Sequence, residues 1–252
     1  MSIELAFGAA TDAGLRRPEN EDSYLVDFDP HAYPDRPALF VVCDGVGGAV
    51  AGKTASQLAT ERVMRAFRES TQANPSARLI EAAERASALI FEHSLSHPAT
   101  EGMATTLVAA ALDGMHCYVV NVGDSRAYRS SDGRLERLTV DHTLVQEQIA
   151  SGLITAEQAA ESPYRHIITR SLGREASDVG VESYAPVELA EGQRFILCSD
   201  GLTDMVAESE ILAVMSSEEP ERAAPALVDL ANKHGGRDNI TVIVIGVRGA
   251  AR

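Results

Sequence analysis

Long apolar runs are missing from this chain, and so is any excess of basic residues. No stretch approaches the ~18–20 apolar residues that a membrane span requires. The N-terminus, MSIELAFGAATDAG, carries an acid at Glu4 and no basic flank, which excludes a signal peptide. Lys and Arg number 22 against 37 Asp and Glu, a net charge of −15. Nucleic acid is therefore a disfavoured partner, since phosphate backbones need clustered cations. Cysteine is scarce: Cys43, Cys117 and Cys198 are too few, and odd in number, for a disulfide framework. Each lies in an apolar stretch that suits a small buried thiol. None opens a C-x5-R phosphatase loop, because Ala49, Gly123 and Asp204 stand six residues further on. Thiolate phosphotransfer is thus set aside. These absences leave a reduced, soluble protein of cytoplasmic type with no membrane partner.

What remains reads as globular. Hydrophobic residues at 45% and charged ones at 23% are enough to form a core, and 252 residues suit one domain, 1–252. Apolar, β-rich runs recur at Leu39–Cys43, Thr105–Ala111, Cys117–Val122, Phe195–Cys198 and Ile240–Val247. Arg126–Arg129 and Leu135–Leu138 flank an Asp132-Gly133 hairpin signal. Thr105 to Leu138 therefore reads as an antiparallel meander without crossover helices. Helical patterns cover Lys53–Glu69, Ser76–Leu95 and Glu221–Lys233, and Leu79, Ala83, Ala86 and Ile90 share one face of the second. Thr155 and Gln158 form a capping-box pattern. Loops are marked by Pro30, Pro34 and Pro37, by Ser96-His97-Pro98, and by 216–220. Helices outside mostly antiparallel strands give an α+β layered domain. The last strand runs close to Arg252, so neither an anchor nor a sensor domain is expected.

The acids carry the chemistry. Asp44, Asp124 and Asp200 end strands, Asp238 immediately precedes one, and Glu21-Asp22 follow Arg17. Any one of them could be a turn residue. Together they are harder to dismiss, because a carboxylate at a strand end costs desolvation unless solvated, paired or metal-bound. Oxygen ligands without His or Cys at useful spacing point to hard cations, Mg²⁺ or Mn²⁺. Two such ions sharing a carboxylate would activate a water for attack on phosphorus.

The motifs RPENED at 17–22, VCDGVGGAVAG at 42–52, ATTLVAA at 104–110, NVGDSRAY at 121–128, LTVDHTLV at 138–145, ITRSLG at 168–173, CSDGLTD at 198–204 and GGRDNIT at 235–241 come in one order. In that order the chain resembles the PPM/PP2C family of metal-dependent protein serine/threonine phosphatases, in its bacterial form. The resemblance implies a β-sandwich of two antiparallel sheets flanked by helices. It implies hydrolysis of phosphoserine and phosphothreonine on proteins, opposing a serine/threonine kinase, by a monomer. By motif, Asp44 resembles the carboxylate that bridges two ions, with the Gly45 carbonyl a further ligand. Asp200 and Asp238 resemble the acids completing the other ion's shell. Glu21 is similar to the acid that holds metal-bound waters, with Asp22 supporting it. Arg17 matches the arginine that clamps the substrate phosphate, and Asp124 the position of a third metal. The segment from His142 to about Glu175 falls where bacterial members carry a flap, read either as a substrate selector or as a decorating insertion. Neither His142 nor His166 is assigned a catalytic role. Many eukaryotic members carry DGHGG, where this chain has Val46 at the histidine position.

Two rival readings accompany this one. Gly47 to Thr54 fits the nucleotide-cradling pattern G-x-x-x-x-G-K-[ST] and would make an NTPase. Against it, Asp44-Gly45-Val46 intervene after the strand, and a P-loop needs a mainly parallel sheet. A non-catalytic cation-binding module is the other rival, disfavoured by the intact acids and Arg17.

Overall fold

The computed structural model describes residues 3–29, 36–174 and 179–249. The loop marks Pro30 and Pro34 and the Glu175 end of the flap-like segment lie outside these residues. In chain order the strands are β1 (Ile3–Asp12), β2 (Ser23–Asp27), β3 (Ala38–Cys43), β4 (Gly45–Val46), β5 (Ala104–Thr105), β6 (Leu107–Asp113), β7 (His116–Val122), β8 (Arg126–Ser131), β9 (Arg134–Arg137), β10 (Glu182–Ser183), β11 (Val187–Glu188), β12 (Arg194–Cys198) and β13 (Ile240–Gly249). The helices are α1 (Ala49–Glu69), α2 (Pro75–Ser96), α3 (Leu144–Ala150), α4 (Ala156–Ala160), α5 (Asp200–Thr203), α6 (Glu208–Ser217) and α7 (Pro220–Lys233). Among the described residues no helix is long and apolar enough to cross a membrane.

One sheet runs β1-β13-β12-β8-β9 and the other β10-β7-β6-β3-β2, with β11 beside β7. Every pairing in them is antiparallel. The side-chain alternation of a strand explains how they stack. Along β3, Phe40 and Val42 enter the space between the sheets, where they meet Phe195, Leu197, Ile243 and Ile245. Leu39, Val41 and Cys43 point the other way, onto α1 and α2. Along β13, Val242 and Val244 face α7. The layers are therefore α-β-β-α, the α+β sandwich that the sequence implies. Small residues such as Ala55, Ala59, Ala83 and Ala86 face the core from α1 and α2 and let both helices approach closely.

The expected meander from Thr105 to Leu138 is instead two hairpins in different sheets. β6–β7 belongs to one and β8–β9 to the other. Gly123, at φ +101°, makes the crossing, and a Cβ there would lie 2.7 Å from the Thr106 methyl. The expected strand Thr105–Ala111 is also broken. Thr106 leaves the ladder, donates its backbone N–H to Asp44 O at 2.9 Å, and accepts the Asp44 N–H on Oγ1 at 2.9 Å. The break holds the Asp44 loop. The Asp132-Gly133 turn has positive φ at both residues, as a type I′ hairpin requires.

Candidate active site

Six of the sequence-marked residues come from five regions of the chain and meet at one end of the sandwich. Arg17, Glu21, Asp44, Asp124, Asp200 and Asp238 line a cleft of about 580 Å³. Gly45 lines it as well, whereas Asp22 sits just behind, 7% exposed, and accepts from Ser199 Oγ at 2.7 Å.

Close backbone approach makes this possible. A Cβ on Gly45 would stand 2.1 Å from Gly52 O, and one on Gly52 would stand 2.0 Å from Glu21 Oε2. Only glycine lets the Asp44 loop, α1 and the Glu21 segment touch. From the far side Asn239 fastens the same segment: its Oδ1 accepts the Glu21 N–H at 2.8 Å, and its Nδ2 donates to Ala13 O and Glu19 O, both at 2.9 Å. Thr105 Oγ1 donates to Asp44 O at 2.8 Å. The acids thus stand on fixed backbone.

Packing carboxylates together raises their pKa values, because burial and like charge both disfavour ionisation. Asp44 is pushed well above the ordinary range, by burial first and then by Asp22, Asp200, Asp124 and Asp238. Asp200 is likewise pushed well up, by burial and then Asp124 and Asp204. Burial takes Asp124 to about 7, with Asp141 adding to it, and Asp22 to about 6. Glu21 is raised mainly by burial, with Arg17 opposing. Arg17 itself is held more firmly charged by its hydrogen bond to Asp238, Nη2 to Oδ2 at 2.7 Å.

The donor set fits divalent cations. It is all oxygen, and Asp22 Oδ1 and Asp200 Oδ1 are buried with no hydrogen-bond partner. An unsatisfied buried acceptor costs about 1–3 kcal/mol, and more when charged, so a cation at these oxygens relieves a standing penalty.

Sequence reasoning missed several groups. His166, given no role, lines the cleft with Asp204; its Nδ1 is 3.4 Å from Asp204 Oδ2, and both can converge on one point with Asp200. Arg165 and Arg237 also line it. Asp204 and Arg237 lie inside the motifs at 198–204 and 235–241 but were given no role, while Arg165 and His166 are brought in by the tertiary path of the chain. His142 does not line the cleft. It is buried, its Nδ1 accepts the Gly123 N–H at 3.1 Å, and its Nε2 therefore carries the proton toward Glu182 Oε2 at 2.9 Å. Burial lowers its pKa. It fastens the loop that carries Asp124. Lys53 is exposed on α1 and lies off the cleft, and the antiparallel sheets give no P-loop setting to Gly47–Thr54.

The chain and its fold are similar to known proteins. The family model described as Protein phosphatase 2C matches residues 19–231. The serine/threonine protein phosphatase PstP of Mycobacterium tuberculosis is 35% identical over 98% of the chain, which spans 46% of that relative's length. The S. agalactiae serine/threonine phosphatase structure superposes with a TM-score of 0.88 at 30% identity, covering 96% of this chain and 99% of that one. The catalytic domain of PstP in complex with 2 manganese ions gives 0.84 at 34% identity, covering 98% and 100%. With the family model matching most of its length and relatives about 35% identical, the chain belongs to the protein phosphatase 2C family, in its bacterial form.

Proposed function

We propose that the protein hydrolyses phosphoserine and phosphothreonine esters on proteins, opposing a serine/threonine kinase, and that residues 1–252 form one catalytic domain acting as a monomer. The observation that carries this reading is the convergence of Asp44, Asp124, Asp200 and Asp238 with Arg17 on one cleft. Asp44 and the Gly45 carbonyl would hold one Mn²⁺ or Mg²⁺ ion, and Asp44, Asp200 and Asp238 a second. Asp124 would serve a third. Bound there, such ions supply Lewis acidity toward phosphoryl oxygens and lower the pKa of water.

The chain's own groups do the rest. Arg17 has one Nη committed to Asp238 and the remaining N–H donors free to meet phosphate oxygens. Its guanidinium also balances charge on the phosphoryl group as the ester bond lengthens. Glu21, fixed by Asn239, orients water at the rim, and Asp22 supports it from behind. Three free, buried cysteines suit a reducing compartment, and we place the protein in the cytoplasm on that ground. The test is phosphate release from a phosphothreonine peptide with Mn²⁺, in the presence and absence of EDTA. Turnover should need the ion and vanish in Asp44→Asn; EDTA-resistant turnover would sink the reading.

A further inference from the structure

A second cavity, of about 600 Å³, lies between α2 and the root of the flap-like segment. It shares no lining residue with the acidic cleft. One stretch of chain nevertheless walls both: Arg165, His166 and Ile168 line the cleft, and Thr169, Arg170 and Ser171 line the second cavity. Ser87, Arg174 and Glu182 contribute to its other walls.

Its chemistry is opposite to that of the cleft. Arg174 makes no ion pair among the described residues. Arg170 donates to Gly180 O at 3.2 Å and stands 3.6 Å from Glu182, the one acid among the described residues of this wall. Ser171 is 5% exposed, and the hydroxyls of Thr169 and Ser171 are closed off from water with no hydrogen-bond partner. Orphaned buried polar atoms are few in the described chain. Of seven, two are carboxylate oxygens of the acidic cluster, where a cation fits, two are these hydroxyls, and Arg129 Nε, Arg137 Nε and Asn232 Oδ1 lie apart from both. In a chain of net charge −15, two guanidinium groups beside unsatisfied donors point to an anion.

We propose that this cavity is a second anion site, for a tetrahedral oxyanion of the phosphate class. Arg170 and Arg174 offer planar N–H donors in pairs, with the unpartnered Thr169 and Ser171 hydroxyls in the same wall. That is more donors than a carboxylate's two oxygens can take up, and three or four phosphate oxygens match it. Binding is linked to the cleft by one chain of contacts. Arg170 stands 3.6 Å from Glu182, Glu182 accepts from His142 Nε2, and His142 Nδ1 accepts the Gly123 N–H beside Asp124. The ligand is free phosphate or a second phosphoryl group on a multiply phosphorylated protein.

The test is titration of the Mg²⁺-loaded protein with inorganic phosphate, followed by backbone amide shifts. Saturable shifts at Ser87, Ser171 and Arg174 are expected, retained in Arg17→Ala and at least tenfold weaker in both Arg174→Glu and Arg174→Gln. Shifts confined to the acidic cleft, or shifts at Ser171 that neither Arg174 variant changes, overturn the proposal. Turnover separates the two sources. A KM raised tenfold in Arg174→Glu for a doubly, but not a singly, phosphorylated peptide identifies the second phosphoryl group. Loss of a non-competitive component of phosphate inhibition identifies free phosphate. Turnover of the singly phosphorylated peptide tests the phosphatase reading by itself, so its persistence without shifts at Ser171 sinks the second site alone.

Discussion

Arg17 and Asp238 lie 221 residues apart in sequence, and their side chains meet at 2.7 Å on the rim of the acidic cleft. The pair is half exposed, 50% and 36%, so solvent screens it and it adds only ~0–1 kcal/mol to stability. Its worth is positional. Arg17→Ala should therefore lower kcat/KM for a phosphopeptide by roughly 10²–10³-fold, the usual effect of losing one transition-state donor. The melting temperature should move by only a few degrees. Arg17→Lys should recover part of the rate, since an ammonium keeps the charge but not the paired donors. A collapse of stability in Arg17→Ala, measured calorimetrically, would show the pair to be structural.

The clustered acids set a pH dependence for EDTA-treated protein. Asp22 and Asp124 have folded pKa values near 6 and 7, above the value of 3.8 for an unperturbed aspartate. Between those values the folded chain binds more protons than the unfolded one, so stability falls as pH rises. Thermal unfolding in EDTA should therefore occur at lower temperature at pH 7 than at pH 5, and added Mn²⁺ should close the gap. Asp44→Asn removes one repelling charge and should raise the melting temperature in EDTA, by roughly 2–4 °C per kcal/mol relieved. A melting temperature in EDTA that climbs from pH 5 to pH 7 would contradict this account.

Gly52 and Lys53 are neighbours with opposite forecasts. In a helix interior Gly→Ala ordinarily stabilises by about 1 kcal/mol, but a Cβ at Gly52 meets Glu21 Oε2 at 2.0 Å. The carboxylate can move aside, but the Gly45 backbone, 2.9 Å from the added Cβ, must shift with the Asp44 loop, so Gly52→Ala should lose most of its turnover and melt at a lower temperature. Lys53→Ala should leave turnover within about twofold, because Lys53 lies off the cleft. ATP binding that depends on Lys53 would restore the nucleotide reading.

Val46 lines the cleft where many eukaryotic members have histidine, and it can donate no proton. General acid help is worth about 10²–10⁴-fold and matters most for a strongly basic alkoxide leaving group. Aryl phosphates should therefore turn over faster than alkyl phosphates by a gap of that order, and Val46→His should not accelerate aryl substrates. An essential acid in the pH profile that vanishes in His166→Ala would pass the role to His166, 3.4 Å from Asp204.

The strand and helix pattern was legible wherever apolar periodicity was strong, as along β3 and α2. It failed at β1, where Gly8 and three alanines weaken the strand signal. The glycine is needed because α7 comes so near that a Cβ would lie 2.1 Å from Pro220 O. Thr106 was read as one more strand residue, although its hydroxyl belongs to Asp44. The acids were visible because carboxylates at strand ends are costly without a purpose. Asn239 was passed over: an amide carries no such penalty in sequence, and its three bonds to residues 13–21 exist only in the folded chain.

Among the described residues strand β1 pairs only with β13, and β13 lies between it and β12. During synthesis, therefore, a chain that has emerged only as far as α7 has its first strand unpaired and lacks Asp238 and Asn239. Its Glu21 segment has nothing to fasten to. A ribosome-bound chain at that stage lacks one wall of the acidic cleft, however well its first two helices have folded. On the proposed function, activity should switch on in one step as residues 238–249 clear the exit tunnel.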